Sequence, residues 1–359
     1  MTEARLIAVG DMMLGDSATC VGFGFRSRVP PQHLCEGLDR LRELRGGDVV
    51  FGNLEAPLSD MGGRRHDWTR AQMRGRPDYA GVLANAGFNV VSVANNHAMQ
   101  HGASAFEEST KRLREAGIHP CGLRGAAPWA CEPVRLDIRD RRLGFLGYCF
   151  RPRQYWDEEP LYAEGTPDEV IGDVRRLRCE ARTVIVSLHW GEEFVPRPSR
   201  AEVRIARRIV DAGASVVLGH HPHVARPVER YNGALIAYSL GNAAADMVWH
   251  EPLRRGLLAD IRIGSGVVES AVIRTLRVGD DYLPEPGPVA QELEQEIIGL
   301  DQAAYDAEAS RTVGRQRAAL YGYTLRNLWR FPPRVLATFA LRTVGNKLAV
   351  FTSHGRSNR

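Results

Sequence analysis

Seven short runs rich in Val, Ile and Leu constrain this chain more than any other feature: residues 5–9, 48–51, 89–93, 143–148, 183–188, 215–218 and 234–239. Each is mostly apolar along its length, not only at alternate positions, and is bounded by Gly or polar residues. Such runs suit strands buried on both faces. Helical patterns lie between them, over residues 32–44, 78–86, 103–116, 168–178 and 201–212. Several stop at a glycine placed as a C-cap: Gly46, Gly87, Gly117 and Gly213. Alternating strands and helices imply an α/β fold, a largely parallel sheet with helices on its faces. Residues 257–263 and 267–276 read as a closing hairpin across Gly264-Ser265-Gly266.

The rest of the chain is organised by charge. Residues 280–310 hold nine acidic residues and no basic one, whereas 311–359 hold ten Arg and Lys and no acid. The stretch Pro284-Glu285-Pro286-Gly287-Pro288 reads as a boundary, followed by an acidic helix over 289–309. Past Pro332-Pro333, residues 334–351 form an amphipathic pattern. Arg334, Thr338, Arg342 and Asn346 share one face; Leu336, Phe339, Ala340, Val344, Leu348 and Phe351 share the other. We therefore divide the chain into a main domain (1–279), an acidic linker and helix (280–310) and a basic, aromatic tail (311–359). No apolar stretch approaches the ~20 residues of a membrane span, and no secretory signal is read at the N-terminus. Six cysteines without a C-x-x-C pair exclude a cysteine zinc ribbon and read as reduced thiols. The expected location is cytoplasmic, with the tail either touching an anionic membrane peripherally or folding back on the acidic segment and the body.

Polar residues gather just past the strand ends, where open α/β sheets bind ligands. Asp11 ends the first strand, Asn53 and Glu55 the second, and Asn96 and His97 the third. His189, Trp190, Glu192 and Glu193 follow the fifth; His220, His221 and His223 follow the sixth; Asn242 follows the seventh. A single Asp after a strand is usually a cap, but carboxylate, amide and imidazole groups at successive strand ends indicate one shared site. That donor set suits Mn, Fe or Zn better than a thiolate-bound metal.

Six motifs in order then carry a resemblance: Gly10-Asp11-Met12-Met13-Leu14-Gly15, Gly52-Asn53-Leu54-Glu55, Ala94-Asn95-Asn96-His97, His189-Trp190-Gly191-Glu192-Glu193, Gly219-His220-His221-Pro222-His223-Val224 and Tyr238-Ser239-Leu240-Gly241-Asn242. Over residues 5–275 the chain resembles the CapA family of poly-γ-glutamate capsule-biosynthesis proteins, within the calcineurin-like metallophosphatase superfamily. The resemblance implies two packed β-sheets flanked by helices, here with a helical C-terminal extension. It also implies one or two divalent metals at the strand ends. Carried over residue by residue, it makes Asp11, Asn96, His189, His221 and His223 metal ligands, and it puts either Asn53 or Glu55 at the bridging position. His97 takes the place of the histidine that contacts substrate. Asn96 and His97 are the catalytic candidates. Arg74, Trp190, His220 and Asn242 are candidates for substrate binding, with surface charge, core packing or support of a ligand as the alternatives for individual members.

The chain departs from the family pattern at several points. Met13 stands where the superfamily usually has His, and Asn53 stands where it has a bridging Asp. Gln100-His101-Gly102 replaces an Asp-aromatic-Gly, and Ala243-Ala244-Ala245 replaces Phe-Val-Phe. The resemblance implies a metal-dependent hydrolase of a phosphoester or an amide or γ-glutamyl bond, in polymer or secondary-metabolite biosynthesis. The alternative is a non-hydrolytic component that binds polyglutamate for synthesis or export. The expected partners are a small-molecule or anionic-polymer substrate and an ATP-dependent ligase, and no nucleic acid.

Overall fold

The computed structural model describes residues 3–62, 72–153, 159–290 and 296–337. Two mixed sheets pack face to face. The larger runs in the order β14 (Pro284–Val289), β13 (Val267–Val278), β12 (Arg255–Gly264), β1 (Ala4–Met12), β2 (Val49–Leu54), β3 (Val90–Ser92) and β4 (His119–Cys121), with β11 (Asn242–Ala244) also on β1. The smaller runs β5 (Val134–Ile138), β6 (Arg141–Cys149), β7 (Thr183–His189), β8 (Val216–His220), β10 (Ala234–Ala237) and β9 (Val228–Tyr231). Pairing is parallel through β1–β2–β3–β4 and through β6–β7–β8–β10. The expected hairpin is β12 paired antiparallel with β13.

Strand alternation explains the continuous apolar runs. Leu6 and Ala8 of β1 and Val49 and Phe51 of β2 face the smaller sheet, where they meet Phe145, Ile185, Val216 and Leu218. Ile7, Val9 and Val50 face the other way, onto α2 (Pro31–Asp39), α3 (Tyr79–Asn85) and α4 (Ala103–Glu115). The smaller sheet turns Leu146, Val184 and Val186 toward α5 (Pro167–Glu180) and α6 (Arg200–Asp211). A helix–sheet–sheet–helix sandwich results, and burying each large aliphatic side chain in it contributes about 1.5–3 kcal/mol. Helices α5 and α6 begin with reciprocal capping boxes, Thr166 with Glu169 and Ser199 with Glu202. A one-turn helix α1 (Phe25–Arg28) precedes α2.

The structure departs from expectation beyond residue 279. Pro284–Val289 is no break but β14, paired with β13 at the sheet edge, where prolines lacking an N–H are tolerated. The acidic helix expected over 289–309 is displaced. Asp301 caps a helix by accepting from the Ala304 amide, so α7 spans Gln302–Arg326. Of the amphipathic helix expected over 334–351, positions 338–351 lie outside the described residues.

Candidate metal centre

The parallel ends of the two sheets meet at one place. The larger sheet brings Asp11 in β1, Asn53 in β2 with Glu55 just past it, and Asn96 and His97 past β3; the smaller brings His189 at the end of β7 and His220, His221 and His223 at and beyond the end of β8. All are buried. The β1–β2 pairing shifts register between Ala8 and Asp11 and sets Asp11 opposite Asn53, whose Nδ2 donates to Asp11 Oδ1 at 2.8 Å. The chain itself ties the sheets together here. Residues 238–241 leave β10 and cross to β11, which places Asn242 beside Asp11. The Asp11 amide donates to the Gly241 carbonyl at 2.8 Å. The backbones approach so closely that a Cβ on Gly10 would collide with that carbonyl oxygen, which explains the glycine.

His221 and His223 hold φ of +94° and +56°. Non-glycine residues pay about 1–3 kcal/mol for such a conformation. The turn is fixed because the His221 amide donates to Asp11 Oδ2 at 3.2 Å and the Phe194 amide to the Pro222 carbonyl at 2.8 Å. It brings the His221 ring 4.7 Å from that of His189 and 5.8 Å from that of His223.

Glu55 lies in the middle of this group. Its carboxylate belongs to one donor set with His189 and His221 and to another with Asp11 and His223, the atoms of each set lying within 4.8 Å of one another. Glu55 Oε1 is 3.4 Å from His189 Nε2, and Oε2 is 3.8 Å from His223 Nδ1. Both Glu55 oxygens, both His221 ring nitrogens and Asn53 Oδ1 are buried without a hydrogen-bond partner. Buried polar atoms are normally bonded. Orphaned oxygens and imidazole nitrogens this close together fit a divalent cation, which would take one donor atom from each of several of these residues.

These groups titrate in different directions. Burial pushes the Glu55 carboxyl well above its usual range. Burial acts likewise on Asp11, but His220 and His223 beside it hold that carboxyl well below the usual range. Burial opposes charge on His223, yet Glu55 and Asp11 lift it to about 10. Burial lowers His189 and His221 well below the ordinary imidazole value, so both are neutral, as metal ligands must be. His97, also lowered by burial, sits at about 4.

The other singled-out residues sort by where their side chains go. Asn96 Oδ1 is 2.7 Å from His189 Nε2. His97 Nδ1 is 2.8 Å from Gln100 Oε1. Trp190, His220 and Asn242, candidates for substrate binding, are fully buried, and both ring nitrogens of His220 lack a hydrogen-bond partner. Trp190 stacks on Tyr238, 6.2 Å away and 2° from parallel, and donates Nε1 to the Tyr238 carbonyl in the core beneath α5 and α6. His220 stands against Asp11, Nδ1 to Oδ1 3.3 Å, with its ring 6.0 Å from that of Phe51. Asn242 Oδ1 is 3.0 Å from His223 Nδ1, while its Nδ2 donates to the Leu253 carbonyl. Arg74 Nη2 donates to the Gly62 carbonyl at 2.6 Å. The sequence places Glu193 just past the fifth strand. The structure brings its carboxylate within 4.8 Å of His221 and His223 donor atoms, and its position in the loop past β7 was the available signal. Glu192 instead pairs with Arg151 at 2.8 Å. Gln100, the partner of His97, was missed; its i+3 spacing from that histidine was the only hint.

Two packed sheets with this donor cluster at their joined ends define a metallophosphatase-like fold. The chain aligns with the crystal structure of a 5'-nucleotidase precursor from Thermus thermophilus at a TM-score of 0.50, covering 89% of this chain and 59% of that one. Sequence identity is 10%, so the likeness is one of fold alone. The chain belongs to the family of bacterial capsule synthesis proteins PGA_cap, whose model matches residues 5–247. It is 27% identical over 247 residues to the PGA biosynthesis protein CapA of Bacillus subtilis, covering 67% of this chain and 63% of that protein. It is 29% identical over 215 residues to the capsule biosynthesis protein CapA of Bacillus anthracis, covering 57% and 52%. Each match thus spans less than two thirds of the relative's length.

Proposed function

We propose that this protein is a metal-dependent hydrolase acting on a phosphoester or on an amide or γ-glutamyl bond in polymer or secondary-metabolite biosynthesis. The observation that carries the reading is Glu55, a buried carboxylate with both oxygens orphaned, shared between two donor sets. Asp11, Glu55, His189, His221 and His223 would hold the ions, with Asn96 beside His189. The nitrogen and oxygen donors favour Mn, Fe or Zn, and the two sets around Glu55 accommodate one or two ions. When bound, the metal would polarise the scissile bond and acidify water.

The protein's own groups supply the rest. Glu55 is the stronger candidate for the bridging place because a carboxylate carries the charge that an amide lacks; Asn53 donates Nδ2 to Asp11 and keeps Oδ1 unpaired beside it. His220 and Asn242 hold Asp11 and His223 in orientation. His97, bonded through Nδ1 to Gln100, is held neutral by burial; an anionic substrate beside it would favour the charged form that donates to a leaving group. A groove of about 250 Å³ that begins at Val224, next to His223 in the chain, is lined by His250, Arg255, Arg315 and Gln316 together with Glu308; its two arginines could meet an anionic substrate.

Metal analysis of the purified full chain, with turnover of a chromogenic phosphoester and a γ-glutamyl anilide, tests the proposal. Glu55→Gln should abolish most metal binding and turnover. It should also raise the thermal midpoint of the metal-free protein while lowering that of the metal-loaded one, because the buried orphan carboxylate costs about 1–3 kcal/mol without its partner. Metal-free protein as isolated, with no metal-stimulated turnover of either substrate, would overturn it. The non-hydrolytic alternative draws on Arg255 and Arg315 of the same groove and on the uncharged Asn53 in the cluster; it requires polyglutamate binding without turnover in the metal-loaded chain.

A further inference from the structure

Helix α7 touches the body along one side only. Tyr305 and Gln316 are its buried residues. Tyr305 Oη accepts from the Glu192 amide at 2.9 Å, and Gln316 Oε1 from Trp249 Nε1 at 3.3 Å. Beyond the helix, Phe331 packs edge-on against Phe23 at 4.8 Å, with Val335 buried in the same cluster. The opposite side carries Tyr321, Leu325, Leu328 and Trp329, exposed by 72%, 67%, 41% and 82%. Tyr321 and Leu325, four apart, share one face of α7, and Leu328 and Trp329 follow in the 3-10 turn just past its end. A lone exposed apolar residue is ordinary, but a contiguous aromatic stripe marks a contact surface. Arg330 lies over the rings of Phe23 and Trp329, at 4.6 and 5.9 Å, and so holds the tryptophan in place. Six arginines and no acid lie within residues 309–337, and Arg315, Arg317, Arg326 and Arg334 among them are exposed.

We propose that this stripe is a docking surface for an anionic lipid bilayer. A second copy is disfavoured by charge: an isologous contact would press one arginine rim against another. An acidic protein would match the arginines but leave unexplained the exposed Trp and Tyr, whose amphipathic rings sit at the headgroup level of membranes. Guanidinium groups flanking such rings are drawn to anionic headgroups. Among the described residues no helix is long and apolar enough to cross a membrane, so the contact is peripheral. The surface spans the end of α7 and the turn after it, upstream of residues 338–359.

The test is co-sedimentation of the full chain with phosphatidylcholine vesicles, with and without phosphatidylglycerol, in about 0.1 M and about 1 M salt, where the Debye length falls from about 10 to about 3 Å. Two double variants keep residues 338–359 intact: Leu325→Ser with Trp329→Ser, and Arg317→Glu with Arg326→Glu. Binding should require the anionic lipid, weaken in high salt and fall at least about tenfold in both variants, with metal content unchanged. The charge-reversal pair, at exposed positions, keeps the test decisive if the apolar pair misfolds. Equal binding to neutral vesicles would overturn the proposal, as would variants that bind like the parent. So would a concentration-dependent dimer, seen by sedimentation velocity, that the variants abolish while vesicle binding is absent.

Discussion

Strand β1 and helix α7 solve the problem of burial in opposite ways. Eight of the nine residues of β1 are buried, because a sheet lies beside it, a second sheet covers one face and helices cover the other. Helix α7 is 25 residues long and buries two. Packing holds the strand at nearly every position, whereas a few anchors hold the helix. Most helical stability in proteins comes from an apolar face against the body; α7 spends much of its apolar surface outward and relies on Tyr305, Gln316, Tyr323 and the Phe331 cluster. The element with least packing is thus the one left with a surface to offer.

The largest effect should separate the two regions directly. Phe51→Ala, in the layer between the sheets, should cost about 3–5 kcal/mol, while Leu325→Ala on the outer stripe should stay within about 0.5 kcal/mol. Urea unfolding of both variants measures it, and comparable costs would erase the contrast.

A second prediction concerns the seat where α7 meets the body. Cys20 Sγ lies 3.7 Å from the Asp246 carbonyl and 3.8 Å from Tyr323 Oη. Burial, with Asp16 adding to it, lifts the Asp246 carboxyl from 3.8 to about 7. One of its oxygens has no partner; the other accepts from the Ser17 and Phe25 amides. The folded state therefore holds this proton more tightly than the unfolded chain does. The associated stability is fully present below about pH 4 and is lost as the pH rises to about 7. Asp246→Asn should gain on the parent across that window, by roughly 1–4 kcal/mol above pH 7. Parallel curves of thermal midpoint against pH for the two proteins would contradict this.

The smallest effect tests whether α7 steadies the loop carrying Glu193. Tyr305 Oη accepts from the Glu192 amide and from Arg226 Nη2. Tyr305→Phe removes that acceptor at a cost of about 1–2 kcal/mol, and exchange of the Glu192 amide hydrogen should accelerate. Unchanged exchange there would show that the loop stands without the helix.

The same contrast sets what could be read from sequence. Strands such as β7 announce themselves because burial on both faces demands an unbroken apolar run. Strands β4 and β11 span three residues each, too few for a pattern, and β14 was hidden by its prolines, which serve at an edge as readily as in a linker. Helix α7 was displaced in prediction because acidic composition outweighed its actual start signal, the Asp301 cap. In the site, polar residues closing apolar runs marked the cluster. Asn53 and Glu55 lie two apart at the end of one strand, and their spacing alone does not rank them. Trp190 follows His189 directly, and only the strand's alternation, read against the second sheet, sends one ring to the site and the other into the core.

The crossing from β10 to β11 also has a temporal side. Asp11 accepts from an amide 210 positions later, and its own amide is satisfied only by Gly241. A ribosome adding about 5–20 residues per second takes on the order of ten seconds or more to make that stretch. Throughout that interval the first aspartate has none of its histidine neighbours. The proposed metal loading therefore cannot precede the synthesis of residue 223, and a nascent chain interrupted before it would lack the full donor set.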